Sequence, residues 1–144
     1  QILSYLPNSV DELPEMVETD DPFDRQTPEA GDFIPATSTG SYDVRKVISA
    51  LVDDGEYFEL RARWAANVVT TFARIDGRVV GIVANQPIVL AGTLDIPASQ
   101  KAGHAEKNRI MPCRTLIGRS SKDTAFKRQE IIPSVCPPRV QNQR

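Results

Sequence analysis

Cysteine, histidine and long apolar runs are scarce in this 144-residue chain, and each scarcity excludes a class of protein. The single histidine, His104, excludes a multi-histidine metal site. Two cysteines, Cys113 and Cys136, lack a Cys-x-x-Cys spacing, so neither a disulfide framework nor a zinc ribbon is indicated. A three-ligand zinc site of His104 with both cysteines is the weaker alternative. The longest apolar runs, such as Val79–Ala84, fall far short of a membrane span, and a reduced intracellular compartment fits best.

The net charge of −2 conceals a charge reversal along the chain. Residues 1–100 carry 7 Lys/Arg and 16 Asp/Glu, whereas residues 101–144 carry 10 and 3, giving −9 and +7. The basic tail could contact an acidic surface, or its sequence could have a different origin. Because Phe126 is the tail's only aromatic residue, nucleic-acid recognition is not expected. Its basic residues include Arg109, Arg114, Arg119, Lys122, Lys127 and Arg128.

Three regions are predicted from composition and periodicity. Residues 1–40 form an irregular acidic linker, because residues 7–40 carry five prolines and nine acidic residues against the single basic Arg25. Residues 41–102 form the ordered part. Residues 103–144 show neither helical nor strand period, so a divergent and poorly ordered tail is expected.

The ordered part contains one helix, one short strand and a hairpin. Apolar residues recur at helical spacing from Val44 to Val52, with Asp43 in the first turn and Gly55 past the end. A strand over residues 56–60 follows. Two β-branched runs, 67–75 and 78–84, flank Asp76-Gly77 and predict a tight hairpin. Residues 85–92 are expected to form a connection with a short strand, and the helix after Asp95 is expected to end by Ala102.

Several stretches resemble the carboxyltransferase (beta) subunits of biotin-dependent acyl-CoA carboxylases of the propionyl-CoA and acetyl-CoA type. The order and spacing of the matching words over about 100 residues carry this resemblance. The words are Ile2–Asn8, Asp20–Arg25, Tyr42–Ile48, Val52–Glu59, Phe72–Pro87 and Leu90–Ile96.

The resemblance implies an α/β, partial crotonase-like fold, with a β-hairpin and flanking helices, at the start of the subunit's C-terminal half. Members transfer carboxylate from carboxybiotin to the α-carbon of a short-chain acyl-CoA without a metal. Biotin is carried on a partner, the biotin carboxylase/biotin carboxyl carrier subunit, and further carboxyltransferase subunits complete a homo-oligomer. The implied location is the cytoplasm, or the mitochondrial matrix in a eukaryote, without nucleic-acid or membrane partners.

Departures from the family predict a fragment. The acyl-CoA half would precede Gln1, and a Gly-Gly-Ala loop for biotin does not follow Ala102. A shifted reading frame, an intron read-through or an alternative end of the coding sequence would explain the change at Gly103. We therefore expect a chain that is inactive alone. The alternative is a non-catalytic interaction protein that associates with the full-length oligomer.

The resemblance implies that the loop at Ala91, Gly92 and Thr93 offers backbone N–H groups to carboxybiotin. An ordinary strand-to-helix turn that uses the φ freedom of Gly92 is the alternative. Residues 85–87 are expected to satisfy loop backbone groups. The carboxylates Asp53, Asp54, Glu56 and Glu59 could serve acid–base chemistry, but a solvated helix end is the preferred interpretation. Trp64 is expected to pack against the sheet.

Overall fold

A computed structural model describes residues 2–9, 12–22, 25–37 and 40–107, together with the backbone of 116–118. Its centre is the predicted hairpin. Strand β2, Val68–Ile75, pairs antiparallel with β3, Arg78–Asn85, in a register that places Val68 opposite Asn85. Asp76 and Gly77 form the turn with φ of 56° and 70°. The prediction of a hairpin around Asp-Gly is therefore confirmed.

Two further strands extend the hairpin to a four-stranded sheet in the order β1-β2-β3-β4. Strand β1, Tyr57–Glu59, pairs antiparallel with β2 and confirms the predicted short strand. Strand β4, Leu116–Gly118, pairs parallel with β3. Both hairpin strands are buried almost throughout, so both faces of the sheet must be covered.

Two helices and the N-terminal segment cover these faces. Helix α2, Val44–Leu51, confirms the predicted helix, and its N-cap Asp43 accepts a hydrogen bond from the Arg45 N–H. Val44 and Ile48 of α2 pack on one face of the sheet in a single cluster. Its other buried members are Val52, Val69, Ala73, Ile75, Val80, Ile82 and Ala84. The opposite face contacts helix α3, Ile96–Lys107, through Val68, Val83 and Ala98, and the N-terminal Tyr5 through Phe72 and Val79.

The acidic segment does not behave as a free linker along its whole length. The Val17 N–H donates to the Gly77 carbonyl at 3.1 Å. Arg25 pairs with Asp21 at 2.9 Å and donates to the Ala50 and Val52 carbonyls at the end of α2. A five-residue helix α1, Pro28–Asp32, also lies in this region, where no helix was predicted.

Three other expectations were wrong. Helix α3 does not end by Ala102 but continues to Lys107, because its packed face includes Ala105 beyond that point. Residues 85–92 contain no short strand; they form a turn that ends in a 3₁₀ segment, Leu90–Gly92. Strand β4 lies within the tail that was expected to lack regular structure. The rest of that prediction, for 108–115 and 119–144, lies outside the described residues.

Candidate functional site

The predicted site residues lie in a left-handed turn between β3 and α3. Leu90, Ala91 and Gly92 have φ of 48°, 51° and 70°, so three consecutive residues adopt the left-handed region. Glycine adopts this conformation without strain, whereas it costs leucine and alanine roughly 1–2 kcal/mol of conformational free energy each because Cβ approaches the carbonyl oxygen. Such strain persists only where surrounding contacts impose it, and it is concentrated at functional sites.

Hydrogen bonds within the turn distinguish the three candidate amides. The Gly92 N–H donates to the Val89 carbonyl and the Thr93 N–H donates to the Leu90 carbonyl, both at 2.9 Å. Among the described residues, the Ala91 N–H has no such backbone acceptor. Ala91 is also exposed, so its N–H is the candidate donor among the three.

Two asparagines at the open end of the hairpin contact this turn. The Asn85 side-chain amide donates to the Gly92 carbonyl at 3.2 Å, as predicted for residues 85–87. Asn67, which is buried, donates to the Thr93 carbonyl at 2.7 Å and to the Asp95 carboxylate at 3.1 Å. Sequence reasoning did not select Asn67, because a single asparagine before a strand gives no local signal.

Asp95 is the N-cap of α3. Its carboxylate accepts a hydrogen bond of 2.9 Å from the Ala98 N–H in the first turn. That bond, and then the bond from Asn67, lower the pKa of Asp95. The turn, the hairpin end and the start of α3 are therefore joined by one short hydrogen-bond network.

Gln86, the next residue after Asn85, serves the opposite face of the sheet. Its side chain accepts from the Val44 N–H at 3.1 Å and donates to the Asp43 carboxylate at 2.6 Å. Burial acts to raise the pKa of Asp43, but the bonds from Gln86 and the Arg45 N–H outweigh it and lower that pKa. Gln86 was predicted to satisfy loop backbone; instead it holds the start of α2.

A groove of about 500 Å³ lies along α3 and the residues just before it. It is lined by Leu94, Asp95, Ile96, Ser99, Gln100, Gly103 and His104. Four apolar side chains around the turn are exposed, and we call them the apolar patch. Its members are Ile88, Leu90, Leu94 and Ile96.

On its inner face α3 carries a buried lysine. The Lys101 ammonium donates to the carbonyls of Arg61, Trp64, Ala65 and Val68, at 3.2, 3.0, 3.4 and 2.7 Å. Burial lowers the pKa of Lys101, and the charge of Glu59 opposes that effect. Lys101 therefore binds the loop before β2 to α3, a role that sequence reasoning missed.

Two of the four acidic candidates around Gly55, Asp53 and Glu59, have structural partners. Asp53 is buried and accepts from the Asp76 and Gly77 N–H groups, so the prediction of a solvated helix end was wrong for this residue. Asp54 and Glu56 are exposed, as that prediction required. Glu59 forms a bidentate ion pair with Arg45 at 2.8 and 2.9 Å. None of these contacts indicates acid–base chemistry.

The remaining candidates give no second site in the described part of the chain. His104 is exposed and its Nδ1 lies 2.7 Å from the Gln100 carbonyl. Cys113 and Cys136 lie outside the described residues, as do the basic tail residues named above. The described residues contain no group of three or more potential metal ligands. Trp64 contacts the Arg61 guanidinium, 5.3 Å from the ring centre.

No helix among the described residues is both long and apolar enough to span a membrane.

Comparisons with known proteins agree on one family. The family model of the carboxyl transferase domain matches residues 1–111, past the point where divergence was predicted. The methylmalonyl-CoA carboxyltransferase 12S subunit of Propionibacterium freudenreichii subsp. shermanii is 47% identical over 102 residues, or 71% of this chain and 19% of that protein. The methylmalonyl-CoA decarboxylase subunit alpha of Veillonella parvula is 45% identical over 102 residues, which cover 70% of this chain and 20% of that protein.

A mitochondrial relative and a solved structure extend this result. The mitochondrial propionyl-CoA carboxylase beta chain of Homo sapiens is 43% identical over 98 residues, covering 68% of this chain and 18% of that one. The transcarboxylase 12S crystal structure with methylmalonyl-coenzyme A and methylmalonic acid bound superimposes with a TM-score of 0.73 at 37% sequence identity. The superposition covers 83% of this chain and 25% of that one.

The chain spans about a fifth of the length of the curated relatives it matches. The predicted resemblance and the α/β, partial crotonase-like fold are both confirmed. Because the family model matches well over half of its residues, this chain belongs to the carboxyl transferase domain family, whose members are carboxyltransferase enzymes.

Proposed function

We propose that this chain is part of a carboxyltransferase that moves carboxylate from carboxybiotin to the α-carbon of a short-chain acyl-CoA, propionyl-CoA or acetyl-CoA. The observation that carries this proposal is its identity of 45–47% over 102 residues to proteins named for methylmalonyl-CoA, the carboxylated form of propionyl-CoA. Carboxybiotin, delivered on a biotin carboxyl carrier partner, would supply the carboxylate, and the α-proton of the thioester would return to the biotin nitrogen.

The turn after β3 is the part of this chain that we assign to the carboxybiotin side. A backbone N–H stabilises negative charge on a ligand oxygen when it is positioned in advance. We assign this role to the exposed Ala91 N–H, which would donate to the ureido oxygen of biotin. Gly92 and Thr93 would act indirectly, because their N–H groups already close the turn.

The fit to biotin rests on two features of the described residues. Ala91 is exposed, and its N–H makes no backbone hydrogen bond within the turn, as a donor to one carbonyl oxygen requires. The groove lined from Leu94 onward, which follows the turn in the chain, has a volume of about 500 Å³, and small ligands commonly occupy clefts of roughly 300–1,000 Å³. Leu94 and Ile96 line that groove and would contact an apolar ligand chain.

A titration tests this assignment. Uniformly ¹⁵N-labelled chain is titrated with D-biotin and the backbone amide resonances are followed. We expect the Ala91 resonance to shift more than those of Gly92 and Thr93. Pentanoic acid, which has the biotin side chain without the ureido ring, is the control and should leave Ala91 unchanged. An unchanged Ala91 resonance with biotin, or equal shifts with both ligands, would contradict the assignment.

We propose that the chain alone does not catalyse transfer, since it corresponds to about a fifth of its relatives' length. Carboxybiotin and propionyl-CoA supplied to the purified chain should give no methylmalonyl-CoA. Measurable turnover would overturn this proposal of incompleteness. Further carboxyltransferase subunits are the proposed partners, because the related transcarboxylase 12S protein forms a hexamer assembly.

The apolar patch favours a second candidate, a non-catalytic protein that associates with a full-length carboxyltransferase. Leu90 and Ile96 are 63% and 76% exposed, and several apolar side chains exposed within one short segment are typical of interaction surfaces. Co-purification with a tagged, full-length propionyl-CoA carboxylase beta chain tests this idea. Loss of binding in Leu90→Ser with Ile96→Ser would support it. No association of the unaltered chain would reject it.

A further inference from the structure

Asn67 and Asn85 occupy adjacent positions at the open end of the hairpin. Asn85 is the last residue of β3 and lies opposite Val68, the first residue of β2. The Gln86 N–H donates to the Asn67 carbonyl at 2.9 Å, which extends the ladder by one step. Both side chains therefore project from a part of the molecule whose backbone is fixed by strand pairing.

Their side-chain amides bind consecutive carbonyls of the turn. Asn85 donates to the Gly92 carbonyl at 3.2 Å and Asn67 donates to the Thr93 carbonyl at 2.7 Å. Asn67 also donates to the Asp95 carboxylate at 3.1 Å and thereby reaches the start of α3. The segment that directly follows Ala91 is thus joined to the hairpin at two successive peptide units.

These contacts oppose the intrinsic preference of the turn residues. Leu90 and Ala91 have positive φ, which L-residues with a Cβ rarely adopt without support from their surroundings. Neither residue supplies that support through its own side chain, since both are exposed. Two backbone bonds close the turn from within, and the side-chain amides of the two asparagines bind it from outside.

We propose that Asn67 and Asn85 are positioning residues that hold the left-handed turn in the conformation that presents the Ala91 N–H to the ligand. This inference rests on the proposed function of the turn. It assigns no contact with substrate to either asparagine. It predicts that removal of their amides changes the turn and the ligand response while the hairpin persists.

Asn85 gives the cleaner test, because its side chain is exposed and its removal leaves the core intact. In Asn85→Ala we expect the Gly92 and Thr93 amides to exchange with solvent roughly threefold to tenfold faster, as the loss of one hydrogen bond predicts. The Ala91 response to D-biotin should fall in parallel. Asn85→Gln retains the donor and should restore both. Asn8→Ala, an exposed asparagine in the N-terminal segment, is the matched control.

Asn67→Ala should have the larger effect, because Asn67 is 2% exposed and makes two side-chain bonds. Slow exchange at the amides of the paired, buried residues Ala73 and Val80 reports an intact hairpin and separates local change from unfolding. Unchanged exchange at Gly92 and Thr93 in the Asn85→Ala chain would overturn the proposal. The two tests are independent, because amide exchange with solvent is measured without a ligand. If biotin does not shift the Ala91 resonance of the unaltered chain, the proposed function is rejected, but the exchange measurement still tests the positioning role of the asparagines.

Discussion

The Asp53 carboxylate accepts a hydrogen bond of 2.8 Å from the Gly77 N–H, although 24 residues separate the two. It also accepts one of 3.0 Å from the Asp76 N–H. The N–H groups of both turn residues therefore donate to the same buried side chain, that of Asp53, which follows α2. This contact joins the end of the helix to the tip of the hairpin.

Replacement of Asp53 by asparagine should destabilise the chain by about 2 kcal/mol, since hydrogen bonds to charged groups contribute roughly 1.5–3 kcal/mol and the new amide would face a donor. Asp54→Asn is the matched control, because Asp54 is exposed and asparagine tolerates its φ of 53°. Its effect should stay within about 0.5 kcal/mol. Urea unfolding followed by circular dichroism measures both. Equal effects of the two substitutions would contradict the assigned role of Asp53.

Gly77→Ala should be strongly destabilising, by more than about 2 kcal/mol, because it combines strain at positive φ with a steric clash. The φ is 70°, and an added Cβ would overlap the Val17 carbonyl group. Gly103→Ala in α3 is the control, where an added Cβ meets nothing within 4 Å. It should stabilise by roughly 0.5–1 kcal/mol, as expected in a helix interior. Thermal unfolding of both variants distinguishes these signs.

Lys101→Met should destabilise the chain by at least about 2 kcal/mol, because a buried carbonyl that loses its donor costs roughly 1–3 kcal/mol and the bond to the Val68 carbonyl is buried. Four carbonyls accept from this ammonium. Lys46→Met removes the same charge from the exposed face of α2 and should change stability by about 0.5 kcal/mol or less. Similar unfolding midpoints for the two variants would show that Lys101 is not needed to bind the loop to α3.

The Asp95 carboxylate should make stability depend on acid. Its pKa is lowered from 3.8 by the bond from the Ala98 N–H and then by the bond from Asn67. The folded state therefore favours the charged form, and the stabilisation is present above pH 3.8 and lost as pH falls through the folded pKa. Asp95→Asn removes this titration. Urea unfolding measured from pH 7 to pH 2 should show that the unaltered chain has the higher free energy of unfolding at pH 7 and that this difference from the variant decreases at low pH. A constant difference across that range would contradict the prediction.

The Arg45–Glu59 ion pair should show a coupling of about 1 kcal/mol in a double-mutant cycle, because the pair is bidentate and partly shielded from water. The two bonds are 2.8 and 2.9 Å long, and the side chains are 29% and 13% exposed. Arg45→Lys should lose most of the coupling, since lysine cannot make both bonds. A coupling near zero in Arg45→Ala with Glu59→Ala would show that the pair contributes nothing measurable.

Local patterns predicted those elements whose cause is local. The helix over Val44–Leu51 has its own apolar period and the N-cap Asp43, and the hairpin has Asp76-Gly77 between two β-branched runs. The end of α3 was misplaced because alanines around Gly103 give little apolar period, although Ala102 and Ala105 pack on the sheet. Its length depends on that packing.

The residues of the candidate site could be predicted from the sequence, but the hydrogen bonds that distinguish them could not. Position and resemblance selected Ala91, Gly92 and Thr93, and the structure brings them into one turn. Which amide remains available could not be predicted, because it depends on hydrogen bonds to the Val89 and Leu90 carbonyls. The contributions of Asn67 and Lys101 arise from residues 26 to 40 positions away in the chain.

The sequence by itself therefore determined the family, because the order and spacing of the matching segments identify it. It also determined the hairpin, the strand and helix before it, and the location of the turn, because each depends on neighbouring residues. Tertiary structure alone decided which polar side chains are structural. Asp53, Gln86 and Lys101 look like surface residues in the sequence, yet each is buried with partners on a distant segment. The physical reason is that a buried polar group requires a partner, and only the folded chain determines which group that partner is.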